Sequence, residues 1–204
     1  MTQVSLPAAK SAAVAAMRAG GNRRKMGRSQ LPTLFSYWLL PTAPEAAALQ
    51  EQIARLAGTY DAVVFEPHVT LYTGPSDDGE VAATLDFLRE SFRPLRLVPF
   101  VVAQSSRLTK TLYIRLELSD ELAALAAAIK NRARQPSSSS LDDPHVSLLY
   151  QRIDAAERAK LAAEVAVPAP FAGDGIAVIE TEIPIEDLDQ IRRWRFVNRF
   201  RYGA

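Results

Sequence analysis

His68 and His145 are the only histidines in a chain of 204 residues that has no cysteine. The missing cysteines exclude thiol nucleophiles, disulfides, zinc–thiolate sites and iron–sulfur clusters, and two histidines are too few for a His-rich metal site. Any imidazole chemistry must use one or both of them. They sit in matching surroundings. Glu66-Pro67-His68-Val69-Thr70-Leu71-Tyr72 and Asp143-Pro144-His145-Val146-Ser147-Leu148-Leu149-Tyr150 share the order acid, Pro, His, Val, Thr or Ser, Leu. In a strand, residues i and i+2 point the same way. His68 therefore shares a face with Thr70, and His145 with Ser147. Val69 and Leu71, like Val146 and Leu148, point to the opposite face, where a core can hold them. Each proline biases its predecessor towards extended structure and helps fix the strand's start.

Two such strands facing one cleft would assemble two imidazoles and two hydroxyls. That set suits phosphate-ester chemistry without a metal. One histidine, neutral, takes a proton from water; the other, protonated, gives one to the departing ribose oxygen. Thr70 and Ser147 can donate hydrogen bonds to the non-bridging oxygens as charge builds there. Tyr150 lies five positions after His145, so a regular strand turns it away; it reaches the site only if the strand bends or ends there. Two nearly equivalent strands do not say which histidine is base and which is acid. A lone His-x-Thr carries little information, because a strand histidine is commonly structural. Here, however, the repeat takes in every histidine of the chain, and a merely structural repeat has no need to keep that residue.

The elements that must position these strands follow from local pattern. Phe35–Leu40 reads as a strand ended by Pro41, and Pro44–Ala57 as a helix with Pro in its first turn and Gly58 after its end. His68–Thr73 is a strand and Gly79–Phe92 a helix with Val81, Leu85 and Leu88 on one face. Leu95–Val102 and Thr111–Leu118 read as strands, the latter with Leu112, Ile114, Leu116 and Leu118 on one side. Ser119 caps a helix to about Arg132. Residues 135–140 form a Ser-rich loop leading to the strand His145–Tyr150. Asp154–Val165 is a helix, and Ile176–Ile185 and Arg193–Tyr202 are closing strands. The last is expected to turn Trp194, Phe196, Phe200 and Tyr202 inwards and its arginines to water; the competing reading is a basic face for RNA. Gly173-Asp174-Gly175 reads as a turn.

Charge separates one segment from the rest. Residues 1–30 carry six basic side chains (Lys10, Arg18, Arg23, Arg24, Lys25 and Arg28) and no acid, which leaves 18 basic against 23 acidic groups in residues 31–204. The net +1 thus combines a basic tail with a mildly acidic body. The tail has too few bulky apolar residues to offset its ordering entropy and is expected to be a disordered extension. An organelle-targeting peptide and a nucleic-acid-binding arm are the competing readings. No apolar run approaches the length of a membrane span. A cytoplasmic monomer of one domain, residues 31–204, is the expectation. Asp77-Asp78 and Asp142-Asp143 read as turn acids, so no metal site is assigned. Arg107 and Lys110 fall in a polar loop, where they are either solvated or near a second phosphate of the substrate.

The paired motifs His68-Val69-Thr70 and His145-Val146-Ser147 resemble those of the two-histidine (2H) phosphoesterase superfamily, which includes the 2′-5′ RNA ligase-like proteins and the cyclic phosphodiesterases. The cyclic phosphodiesterase branch is more similar, through Tyr37-Trp38-Leu39-Leu40-Pro41, Pro67-His68-Val69-Thr70 and Pro144-His145-Val146-Ser147-Leu148-Leu149-Tyr150. The similarity runs from about Leu34 to Tyr202. It implies a bilobal α+β fold with two antiparallel sheets around a central cleft and helices outside. It implies that His68 and His145 are catalytic, that Thr70 and Ser147 bind phosphate, and that Tyr150 contributes to the substrate site. It further implies hydrolysis of 2′,3′-cyclic nucleotides to 2′-phosphates, or of ADP-ribose 1″,2″-cyclic phosphate to the 1″-phosphate, without cofactor or metal. The chain departs from plant members in lacking cysteine and in carrying the basic extension. Two alternatives accompany this reading: RNA-end processing or 2′-5′ joining, and a non-catalytic phospho-nucleotide binding module.

Overall fold

The computed structural model describes residues 33–134, 136 and 140–203. The basic stretch at residues 1–30 and four positions of the Ser-rich loop lie outside the described residues. The chain runs β1 (Leu34–Pro41), α1 (Ala43–Tyr60), β2 (Val69–Pro75), α2 (Asp78–Ser91), β3 (Leu95–Leu97) and β4 (Pro99–Gln104). A 3-10 turn at Leu108–Lys110 leads to β5 (Leu112–Leu116), α3 (Asp120–Lys130), β6 (His145–Leu149) and α4 (Ala155–Glu164). Then come β7 (Phe171–Thr181), α5 (Leu188–Arg192) and β8 (Arg195–Arg201).

Short polar residues start the helices. The Asp77, Ser119, Asp154 and Asp187 side chains accept from the backbone N–H groups of Glu80, Leu122, Glu157 and Gln190, each supplying a partner to an otherwise orphaned donor. Helix α1 has no such side-chain cap and relies on proline at its first turn. It also continues through Gly58 instead of ending before it. Asp61 takes the left-handed turn, with φ of 49°, and its N–H returns to the Ala57 carbonyl.

All strands belong to one antiparallel sheet in the order β3-β7-β1-β2-β6-β5-β4, with β8 added on β7. This is the expected α+β class, but the two sheets are halves of one. They meet at a seam of a single residue pair, Val69 with Val146. The strand expected over Leu95–Val102 is divided between β3, which pairs with β7, and β4, which pairs with β5. Only Val98 separates them, yet they lie at opposite ends of the strand order. The sheet therefore curls until its two ends nearly meet.

That curl explains why both faces of β1 are buried. Phe35, Tyr37 and Leu39 point into the main core with Val69, Leu71, Val146 and Leu148, and with Leu49, Ile53 and Leu56 of α1. Trp38 and Leu40 point to the other side, with Ala177 and Ile179 of β7. Fully burying a leucine such as Leu39 contributes about 2 kcal/mol, so this alternation anchors the strand from both of its faces. Leu112, Ile114 and Leu116 are buried as expected, but Leu118 lies beyond the end of β5 and is exposed.

The C-terminal part departs most from its pattern. Gly173-Asp174-Gly175 lies inside β7, where a Cβ on Gly173 would come 2.8 Å from Leu39 Cγ; close packing requires the glycine there. Strand β7 ends at Thr181, and residues 182–185, expected to continue it, leave the sheet as a loop that leads to α5. On β8, Phe200 packs on the core, while Phe196 and Tyr202 remain 43% and 48% exposed. A register shift opposite Val178 and Ile179 interrupts the alternation. The arginines of this region do not form a free basic face. Arg193 pairs with Glu182 at 3.4 Å and Arg199 with Glu66 at 3.3 Å, and Arg195 and Arg201 pair with Glu180 and Asp174.

Candidate active site

The seam of the sheet sets the site. Val69 faces Val146 in an antiparallel pair, so the two copies of the repeat meet at equivalent residues. An antiparallel pair has a local twofold relation. Continuing the register by one residue sets His68 across from Ser147 and Thr70 across from His145. The valines point into the core, and both histidines and both hydroxyl residues line one cavity on the inner face.

The same local bond holds each imidazole. His68 Nδ1 lies 2.6 Å from the Glu66 carbonyl, and His145 Nδ1 lies 2.8 Å from the Asp143 carbonyl. A carbonyl only accepts, so both Nδ1 atoms carry a proton. With Nδ1 so engaged, Nε2 of each ring is the nitrogen left able to take or give a proton. The intervening prolines place the carbonyl of the residue two before each histidine under its ring.

The environments of the two rings differ. His68 is 5% exposed and lies flat on Trp38, with ring centroids 3.6 Å apart and planes within 5°. Burial drives its pKa from 6.5 down to about 4; the Glu66 carbonyl opposes this, and the facing His145 lowers it further. His145 is half-buried, with Tyr113 edge-on at 5.2 Å. Burial lowers its pKa as well, against the Asp143 carbonyl, and Lys110 adds to the lowering. Trp38 is itself fixed: its Nε1 donates to Ser36 Oγ at 3.0 Å, and Thr73 Oγ1 donates to the same oxygen at 2.9 Å.

The hydroxyls also differ. Ser147 Oγ donates to the Thr109 carbonyl at 3.1 Å, so it must rotate to reach a ligand. Thr70 has no side-chain hydrogen bond among the described residues and is ready to donate. Strand β6 ends at Leu149, and this is what lets Tyr150 join His145 in the cavity wall. Its ring stacks on Phe65 at 3.7 Å, and burial raises its hydroxyl's pKa against a hydrogen bond with Ser147.

The cavity encloses about 290 Å³. Beyond the motif residues, its wall includes Trp38, Arg107, Lys110, Ile183, Ile185 and Trp194. Trp194 stands edge-on to Trp38 and Tyr150. Sequence pattern puts Trp38 and Trp194 on strands but carries no sign that they border the site, and it puts Ile183 and Ile185 on a strand where the structure has a loop. Two of the four turn acids have structural partners. Asp77 caps α2, and Asp143 binds Lys110 Nζ and, at 2.9 Å, Arg115 Nε. Burial pushes the Asp143 carboxyl up, but these two cations outweigh it and hold it below its usual range. Among the described residues no cluster of three or more His, Asp or Glu side chains is placed to hold a metal ion. Nor is any described helix long and apolar enough to cross a membrane.

Comparison with known proteins agrees with this geometry. No curated protein sequence matches the chain significantly. Among solved structures, E. coli LigT in its apo form has a TM-score of 0.52 at 17% identity, over 85% of this chain and 99% of that one. LigT complexed with 3′-AMP gives 0.51 at 17% identity, over 85% and 100%. A structure described as a phosphoesterase gives 0.51 at 16%, over 85% and 100%. These identities establish the fold alone. The family model of the 2′-5′ RNA ligase superfamily matches residues 40–182, from the end of β1 to just beyond β7. The chain belongs to the 2′-5′ RNA ligase superfamily, the two-histidine phosphoesterase group that its paired strands resemble.

Proposed function

We propose that the protein hydrolyses cyclic phosphodiesters, converting 2′,3′-cyclic nucleotides to 2′-phosphates or ADP-ribose 1″,2″-cyclic phosphate to the 1″-phosphate, with His68 and His145 as the acid–base pair. The observation that carries this reading is the pair of imidazoles on one cavity, each held through Nδ1 by a backbone carbonyl so that Nε2 is free. With a 2′,3′-cyclic phosphate between them, one neutral Nε2 takes a proton from water as its oxygen bonds to phosphorus. The P–O3′ bond breaks, and the other Nε2–H gives its proton to O3′. The products are a 2′-phosphate and a free 3′-hydroxyl. Thr70 and, after rotation, Ser147 donate to the non-bridging oxygens, where negative charge grows. The bound phosphate's negative charge favours the protonated imidazole, so that one ring takes up a proton from solvent and can act as the acid.

Superfamily membership also supports an alternative in which the cyclic phosphate sits on an RNA end. The arginines of β8 lend it no support, since each pairs with an acid. The test is turnover of 2′,3′-cyclic AMP in excess EDTA, with products identified by phosphorus NMR. His68→Ala and His145→Ala are each expected to lose at least about a thousandfold in kcat, within the range known for acid–base groups, while staying folded. Full activity in either variant, or formation of the 3′-phosphate, would overturn the mechanism.

A further inference from the structure

Two cations line the cavity, Arg107 and Lys110, and only one of them is neutralised. Lys110 is bound to Asp143, which also holds Arg115. Arg107 has no carboxylate partner among the described residues, whereas Arg115 on the neighbouring β5 and the arginines of β8 do. Its mount is rigid. Leu108, beside it, is buried, and the Lys110 N–H donates to the Arg107 carbonyl at 3.0 Å. Thr111 Oγ1 also reaches that carbonyl at 3.2 Å, and Ser105 Oγ both donates to the Lys110 carbonyl and accepts from the Arg107 N–H. The next carbonyl but one, that of Thr109, accepts the Ser147 hydroxyl. A fixed turn thus ties an unpaired guanidinium to the strand that carries the second histidine.

We propose that Arg107 forms a subsite for a second phosphate of the substrate, in the same cavity as the cyclic phosphate. This rests on the reading that the histidines act on a cyclic phosphate. The two motifs already supply the donors for the scissile group, two imidazoles and two hydroxyls. An additional, uncompensated fork of N–H donors at the cavity wall suits a further phosphate, which guanidinium groups bind in bidentate fashion. The shared chemistry is a phosphate on the far side of the reacting nucleoside. Its source is either the next phosphodiester of an RNA end or the diphosphate of a dinucleotide-like substrate.

Binding separates this subsite from turnover. Calorimetry with adenosine 2′-monophosphate and adenosine 2′,5′-bisphosphate is expected to show the wild-type protein binding the bisphosphate about tenfold tighter, as one charge-assisted contact supplies. Arg107→Ala should bring that ratio to about one, and Arg107→Lys should restore part of it. In turnover, Arg107→Ala should lower kcat/KM about tenfold more on a substrate with the second phosphate than on 2′,3′-cyclic AMP. A dinucleotide ending in a 2′,3′-cyclic phosphate and ADP-ribose 1″,2″-cyclic phosphate identify the source by which of them shows the extra loss. Equal losses on all three substrates would place Arg107 at the scissile phosphate and overturn the subsite, as would a wild-type protein with no preference for the bisphosphate. An Arg107-dependent bisphosphate preference without any cyclic phosphate turnover would sink the proposed reaction and leave the subsite standing.

Discussion

His68 makes the protein's stability depend on acidity in a calculable way. Its imidazole is 5% exposed, stacked on Trp38, and its pKa falls from 6.5 to about 4 on folding. The folded state therefore resists a proton that the unfolded chain accepts. Stability from this group is complete above pH 6.5, is lost as the pH falls from 6.5 towards 4, and levels off below that. Linkage gives a loss of about 2 kcal/mol at pH 5 and about 3 kcal/mol at pH 4. The perturbation is His68→Asn, which removes the titrating group while its amide can still donate to the Glu66 carbonyl. Urea unfolding of both proteins at several pH values between 7 and 4 isolates this group, because other titrations are common to both and cancel in the difference. The wild type should lose about 3 kcal/mol more than the variant across that range. Parallel losses would refute the claim that a buried, neutral imidazole is built into the seam.

Other predictions concern the site and the strand behind it. Both histidine pKa values are lowered, and the mechanism needs one proton on the pair, so kcat/KM for 2′,3′-cyclic AMP should follow a bell whose optimum lies below pH 6.5 and should decline through neutrality; an optimum above 7 contradicts it. Thr70→Val and Ser147→Ala should each lower kcat about a hundredfold. Ser147→Ala should in addition reduce stability by about 1 kcal/mol, because among the described residues only Ser147 holds the Thr109 carbonyl; equal denaturation midpoints would argue against that anchoring role. Gly173→Ala should destabilise by about 1–3 kcal/mol, since its Cβ would meet Leu39 Cγ at 2.8 Å; chemical denaturation measures it, and a neutral result would show that β1 yields.

The repeat was legible in the sequence because its information is local. Period-2 alternation alone puts His68 with Thr70 and His145 with Ser147, and valine and leucine on the other face. The helix starts at Ser119 and Asp154 were legible for the same reason: a capping side chain reaches only three residues ahead. The misreadings fall where distant partners decide. Gly173-Asp174-Gly175 carries turn residues, yet Leu39 of a strand far off in sequence packs on it and Arg201 pairs with Asp174. The arginines of β8, expected in water with a basic face as the competing reading, instead pair with Glu180, Glu66 and Asp174, acids distant in sequence that local pattern does not bring near. Gly58 looked like a helix end, but nothing crowds it and the helix passes through.

By itself, the sequence singled out the residues that the proposed chemistry would use: two histidines in matching motifs, two hydroxyls beside them and no thiol to compete. It could do so because residue type and spacing along a strand decide facing without reference to the rest of the chain. Only the tertiary structure decided that the two repeats pair directly through Val69 and Val146, so that one cavity receives both imidazoles. Only it decided that Trp38 covers His68, that Tyr150 turns in where β6 ends, and that Arg107 stands at the wall with no carboxylate partner among the described residues. These depend on which strands become neighbours when the sheet curls, and strand neighbours are chosen by burial across the whole molecule.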